Sequence, residues 1–256
     1  VAALLSPSDA ALLSDPNNTL GIEYCRALLR VGAAPALFTI PRTGAAHDAT
    51  PENAGGYSAS AIRHLLAEGR RADALSRMVP AMRTVYEVEE AAGRAPVFAA
   101  ACGRAILARL RSMTPAEFDA LDTGHEGVGQ RLYNASRNAA TLDAVLDNAK
   151  TKRYAYARLR RMVLWAYLGL SPAELPASVP YLRVLAANET GRALLGRMRK
   201  TARFPVITKP AAIRSLSPDS QRLFETESRA ADLYALAYPE LTEACGSLWR
   251  QNPVMP

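Results

Sequence analysis

Asp15-Pro-Asn-Asn-Thr-Leu-Gly-Ile-Glu-Tyr-Cys-Arg-Ala-Leu-Leu-Arg-Val-Gly-Ala-Ala-Pro-Ala-Leu-Phe-Thr-Ile40 reads as one helix followed by one short buried strand. Asp15 stands where a side chain caps free amides, and Pro16 at the first helical position loses no hydrogen bond. Apolar positions recur through Leu20, Ile22, Tyr24, Ala27 and Leu28, and Gly32 closes the segment. The run from Ala34 to Ile40 is apolar and short, as a strand covered on both faces would be. This is one α/β step, with Asn17 and Asn18 in the first turn of its helix.

Beyond a loop of small residues, Ser58-Ala-Ser-Ala-Ile-Arg-His-Leu-Leu66 reads as a second capped helix, with Ser58 as the cap and Ser60 and Arg63 close behind it. From about Ala72 the strand signal is lost. Helical periodicity then recurs over 84–92, 99–112, 130–149, 151–170, 180–201 and 217–238, punctuated by prolines. No repeat of fixed period and no low-complexity tract interrupts the pattern. The expected fold class is α/β plus α: a partial α/β domain over residues 1–75, then a mostly helical domain over 76–256.

The 256 residues suffice for one large or two modest domains, and 49% apolar content suits a folded chain. A formal charge of +7 favours an anionic partner without identifying it. Cys25, Cys102 and Cys245 are odd in number and form no CxxC pair, against a disulfide framework or a cysteine zinc site and in favour of a reducing cytoplasm. No run approaches the ~20 apolar residues that span a bilayer, and Val1-Ala-Ala-Leu-Leu5 is too short for a signal sequence, so no membrane partner is expected. The chain opens on valine in a stretch that reads as the middle of an element, either a fragment or a late start.

The strongest chemical signal is Lys150-Thr-Lys-Arg-Tyr-Ala-Tyr-Ala-Arg-Leu-Arg-Arg161, six cations and two tyrosines without an acid. Lys150, Lys152, Arg153, Arg158, Arg160 and Arg161 can neutralise phosphates, and a ring such as Tyr154 can stack on an unpaired base. On one helix over 151–170, Lys150, Arg153, Arg160 and Arg161 would share an arc of roughly 100°. A merely solvated face fits the same composition.

Two helix N-termini suit a phosphate, one bearing Asn17 and Asn18, the other Ser58, Ser60 and Arg63. Taken singly, each is more simply a capping motif. Arg42 comes after the expected strand, where α/β folds place binding loops. His47, His64 and His125 show no metal-ligand spacing, so no metal site is expected. Gly124, Gly127 and Gly129 lack the lysine and hydroxyl ending of a phosphate loop and read as turn glycines before a helix. No catalytic constellation is complete, and the catalytic residues stay unknown.

Ser14-Asp-Pro-Asn-Asn-Thr-Leu-Gly-Ile-Glu-Tyr-Cys-Arg-Ala-Leu28 resembles a segment of the bacterial tRNA(Met) cytidine acetate ligases, in the nucleotidylyltransferase-like superfamily. Ile40-Pro-Arg-Thr-Gly44, Tyr57-Ser-Ala-Ser-Ala-Ile-Arg63, Glu126-Gly-Val-Gly-Gln-Arg131, Thr151 through Arg161 and Tyr181-Leu-Arg-Val-Leu185 are similar to that family's blocks in the same order. The resemblance implies the C-terminal part of a Rossmann-like nucleotidylyltransferase domain followed by a helical tRNA-binding domain. It also implies ATP-dependent activation of acetate to acetyl-adenylate and acetyl transfer to N4 of the wobble cytidine of elongator tRNA(Met). Asn17, Asn18 and Arg42 would then lie near ATP, Ser58, Ser60 and Arg63 would face its phosphates, and the 150–161 segment would hold tRNA. Whether magnesium accompanies the ATP stays open.

The family's first block, a glycine-rich turn with a His-x-x-His-like motif, has no match here. Those histidines would stabilise charge at the reacting α-phosphate. The chain is therefore expected to be either the tRNA-binding part of a ligase, with the first half unrecorded or supplied as a separate chain, or a non-catalytic RNA-binding remnant. A helical interaction domain without RNA affinity is a third expectation.

Overall fold

The computed structural model describes residues 6–13, 15–40, 58–122, 124, 126–241 and 244–255. The chain divides into two units, 1–58 and 59–256, earlier than the boundary at 75/76 expected from sequence.

In the first unit, helix α1 (Pro7–Leu12) precedes α2 (Pro16–Val31). The Asp15 carboxylate accepts from the amides of Asn17 at 2.7 Å and Asn18 at 3.4 Å. At the other end Gly32 takes φ +66°, a left-handed conformation that glycine adopts without a Cβ penalty. The strand expected over 34–40 is a correction: no described residue of this unit pairs with that run, and an apolar segment becomes a strand only with a ladder partner.

The second unit is mostly helical. It begins with α3 (Ala59–Ala67), α4 (Arg71–Ser76) and α5 (Pro80–Ala91), where Ile62, Leu65 and Ala74 form a small core. The main core is built by α6 (Gly103–Ser112), α7 (Pro115–Ala120), α8 (Val128–Asn138), α9 (Leu142–Ala149) and α10 (Tyr156–Leu168), around Leu110, Phe118, Leu132, Val145 and Leu159. The single helix expected over 130–149 is two. Thr141 ends the run by accepting from the Ala144 amide at 3.1 Å, opening α9 as its cap.

The helix expected over 180–201 is likewise corrected. Strand β1 (Leu182–Arg183), helix α11 (Glu189–Thr201) and strand β2 (Val206–Ile207) form a small parallel β-α-β unit, with Leu182 opposite Val206 and Arg183 opposite Ile207. Helix α12 (Pro218–Ala235) and the short α13 (Ser247–Arg250) close a second core of Tyr181, Ile207, Ile213, Phe224 and Leu248. Residues 252–255 lie along the stretch after β1, where Val254 donates to the Leu185 carbonyl and accepts from the Ala187 amide, both at 3.0 Å.

Of the three glycines expected as turn residues before a helix, Gly127 has φ +80° and opens α8 in that way. Gly129 is different: it lies inside α8, and a Cβ there would stand 2.6 Å from the Phe118 carbonyl oxygen of α7. Its role is the close approach of two helices. Gly129→Ala should lower stability by about 1–3 kcal/mol by overpacking this contact, read as a lower urea midpoint at unchanged slope.

Candidate functional site

The basic run over 150–161 does not lie on a single helix. Helix α9 ends at Ala149, and Thr151 Oγ1 accepts from the amides of Arg153 at 3.2 Å and Tyr154 at 3.1 Å. This hydroxyl-capped turn carries the chain to Ala155, where α10 begins. The expected common arc of Lys150, Arg153, Arg160 and Arg161 is therefore replaced by a turn and a first helical turn side by side.

The segment is fastened to the loop before α8 through Asp122, a carboxylate 4% exposed. One of its oxygens accepts from the Gly124 amide at 3.2 Å and the Arg158 guanidinium at 2.9 Å, the other from the Glu126 amide at 2.9 Å. Burial alone would push this carboxyl up, but the two amides and Arg158 together hold it below its usual range. Arg158 also bonds Glu126 at 2.8 Å, and the buried Tyr154 donates its hydroxyl to the Glu126 carbonyl at 2.5 Å.

Tyr154 and Arg158 are thus committed within the protein, the ring covered and the guanidinium shared by two acids. Lys152, Arg153, Arg160 and Arg161 are exposed. Arg153 reaches Glu126 only at 3.8 Å, a weak surface pair. Lys150 donates to the Thr151 carbonyl at 2.7 Å, and its ammonium lies 5.6 Å from the centre of the Tyr156 ring. The Arg160 guanidinium lies 5.6 Å from the same ring. Tyr156, 37% exposed, is held by a 2.6 Å bond from its hydroxyl to Asp147. This solvent-facing aromatic between two cations is the site residue that sequence reasoning did not single out. Its signal was there, since Tyr156 stands four residues before Arg160 on one helix.

The other candidates divide between the units. Asn17 and Asn18 lie in the first, their amides already bonded to Asp15. Ser60 and Arg63 lie three residues apart on α3 and are exposed, while Ser58, just before α3, is buried. Arg42 and His47 fall outside the described residues, as does His125. Among the described residues no group of three or more His, Cys, Asp or Glu could hold a metal ion, and no helix is long and apolar enough to cross a membrane. The three cysteines are free thiols.

The chain belongs to the HIGH nucleotidyl transferase family, whose model matches residues 2–247. More particularly, it is similar to proteins named tRNA(Met) cytidine acetate ligase: 32% identical over 234 residues to that of Alkaliphilus metalliredigens, covering 89% of this chain and 55% of the relative. For Acetivibrio thermocellus the figures are 30% over 258 residues, 95% and 61%. The family resemblance carried by the sequence blocks is therefore met. The crystal structure of apo Thermotoga maritima TmcAL superposes with a TM-score of 0.87 at 24% identity, over 95% of this chain and 61% of that one. A second form, bound with alpha-thio ATP, gives 0.84 at 24% identity, over 95% and 60%. Both establish likeness of fold. The chain spans between 55% and 61% of the length of these two relatives.

Asp122→Asn should destabilise the protein by about 2 kcal/mol near neutral pH, because a buried acceptor for two amides and a guanidinium is weakened. The depressed carboxyl contributes stability that is full above its unfolded value of about 3.9 and is lost as pH falls through the lower folded value. The gap between wild type and variant in chemical denaturation should therefore narrow below about pH 4.

Proposed function

We propose that this chain is the tRNA-holding part of an ATP-dependent acetate ligase that forms N4-acetylcytidine at the wobble position of elongator tRNA(Met). The observation that carries this is the exposed cationic set Lys152, Arg153, Arg160 and Arg161, with the Arg160 guanidinium beside the exposed Tyr156 ring, in a chain whose relatives are named tRNA(Met) cytidine acetate ligases. In this reading the exposed cations contact phosphates, and Tyr156 offers a ring to an unstacked base. Lys150 supports that ring, while Tyr154 and Arg158 hold the segment in place. The fold likeness supports a Rossmann-like nucleotidyl transferase domain, of which residues 1–58 and the start of the second unit are the C-terminal part.

Acetate would attack the α-phosphorus of ATP, releasing pyrophosphate and giving acetyl-adenylate. The cytidine N4 would then attack the acetyl carbonyl and release AMP. Asn17, Asn18 and Arg42 would lie near the nucleotide, with Ser58, Ser60 and Arg63 towards its phosphates; the protein would work in the cytoplasm. A non-catalytic RNA-binding remnant of that family, using the same exposed cations, stands as a second reading.

Labelled acetate separates the two. With ATP and elongator tRNA(Met), acetyl transfer to the tRNA should depend on an upstream half bearing the histidine motif. Transfer that never appears with any upstream reading frame of the locus would leave the remnant. For the RNA contact, Arg160→Glu should weaken tRNA(Met) binding by about tenfold or more at 100 mM salt and flatten its salt dependence; unaltered binding would remove Arg160 from the interface. In a catalytically complete protein, Arg63→Ala should weaken ATP binding by roughly 10- to 100-fold, measured by titration calorimetry.

A further inference from the structure

Residues 190–218 hold seven cations and no Asp or Glu, a longer acid-free basic stretch than 150–161. The structure folds this stretch into the crossover helix α11, strand β2 and the turn beyond it. Arg192 and Arg199, seven residues apart, stand two turns or about 10 Å along the same helix. Across a cavity of about 450 Å³ they meet Lys209 from the turn after β2, with Leu195, Pro253 and Met255 supplying apolar wall. The far wall is held in place by the backbone bonds of Val254 to Leu185 and Ala187. Arg192, Arg199 and Lys209 have no side-chain hydrogen bond or ion pair among the described residues, in contrast to Arg158 with its two acids.

We infer that this cavity and its cationic rim form a second RNA-contacting surface, binding the sugar-phosphate backbone independently of the 150–161 segment. The inference rests on the proposed tRNA partner and adds a place of contact. Two unneutralised arginines two helical turns apart, with Lys209 facing them across the cavity, match an extended polyanion better than a single small anion, which would be enclosed. No aromatic side chain lines the cavity, so no platform for base stacking exists there. The contact is therefore to phosphate and ribose, insensitive to base sequence, and it would orient the RNA on the protein.

The test uses the whole chain and a fluorescent tRNA(Met) transcript, with anisotropy titrations between 50 and 200 mM salt. The triple variant R192Q/R199Q/K209Q should bind at least tenfold more weakly at 100 mM salt and lose about 2 from the slope of log affinity against log salt. The charge-keeping variant R192K/R199K/K209R should retain that slope. An unchanged slope in the first variant, while Arg160→Glu still weakens binding, overturns this inference alone. Loss of binding in both triple variants also overturns it, since charge would not be what matters. If the wild-type chain binds no RNA but does bind anionic phosphatidylserine vesicles, this inference and the proposed function fall together.

Discussion

A single buried carboxylate holds the candidate RNA-facing segment in shape. Asp122 gathers two backbone amides and one guanidinium, and so joins the loop entering α8 to the first turn of α10. A carboxylate with so little exposure is tolerable only because each oxygen is matched by donors, one of them charged. Arg158 is drawn out of the cationic row by this demand. Arg160, on the other side of the helix, and Arg161 are left facing water.

Other arginines obey the same logic at the ends of helices. Arg131 donates to the Ala149 and Asn148 carbonyls at the end of α9, Arg137 to those of Arg111 and Met113 at the end of α6, and Arg109 to the Ala166 carbonyl of α10. Each brings a cation to carbonyls at or next to a helix C-terminus, where the helix dipole favours positive charge; the Ala166 carbonyl also accepts from the Gly169 amide at 3.2 Å. A good part of the basic composition is therefore internal fastening. Net charge overstated the surface available to an anionic partner, and position along the sequence did not separate the two uses.

The features legible in the sequence were mostly local. Asp15, Pro16 and Gly32 mark the ends of α2 because caps act within a few residues, and the basic run at 150–161 was visible as composition. The misreadings share a cause. A strand at 34–40 required a ladder partner, the pairing of β1 with β2 joins residues 24 apart, and the break at Thr141 turned on one hydroxyl. Tyr154 and Tyr156 differ by two positions, yet one is sealed beneath the Glu126 carbonyl and the other stands between two cations. Only the path of the turn decides which. The acid-free stretch over 190–218 was equally plain in sequence but was masked by the stronger density of the first.

The β-α-β unit has a consequence for how the chain acquires its surface during synthesis. Its two strands pair over two residues each, and the wall opposite α11 comes from around residue 254, about 70 positions after the segment it seals. Contacts of such separation form late, because the loop they close costs entropy before any pairing is gained. Helices α6 to α10 can assemble from neighbours as they emerge, whereas the cradle around α11 waits for residues 252–255. A ribosome paused before that point would hold a nascent chain with a folded helical core and an unfinished basic cleft.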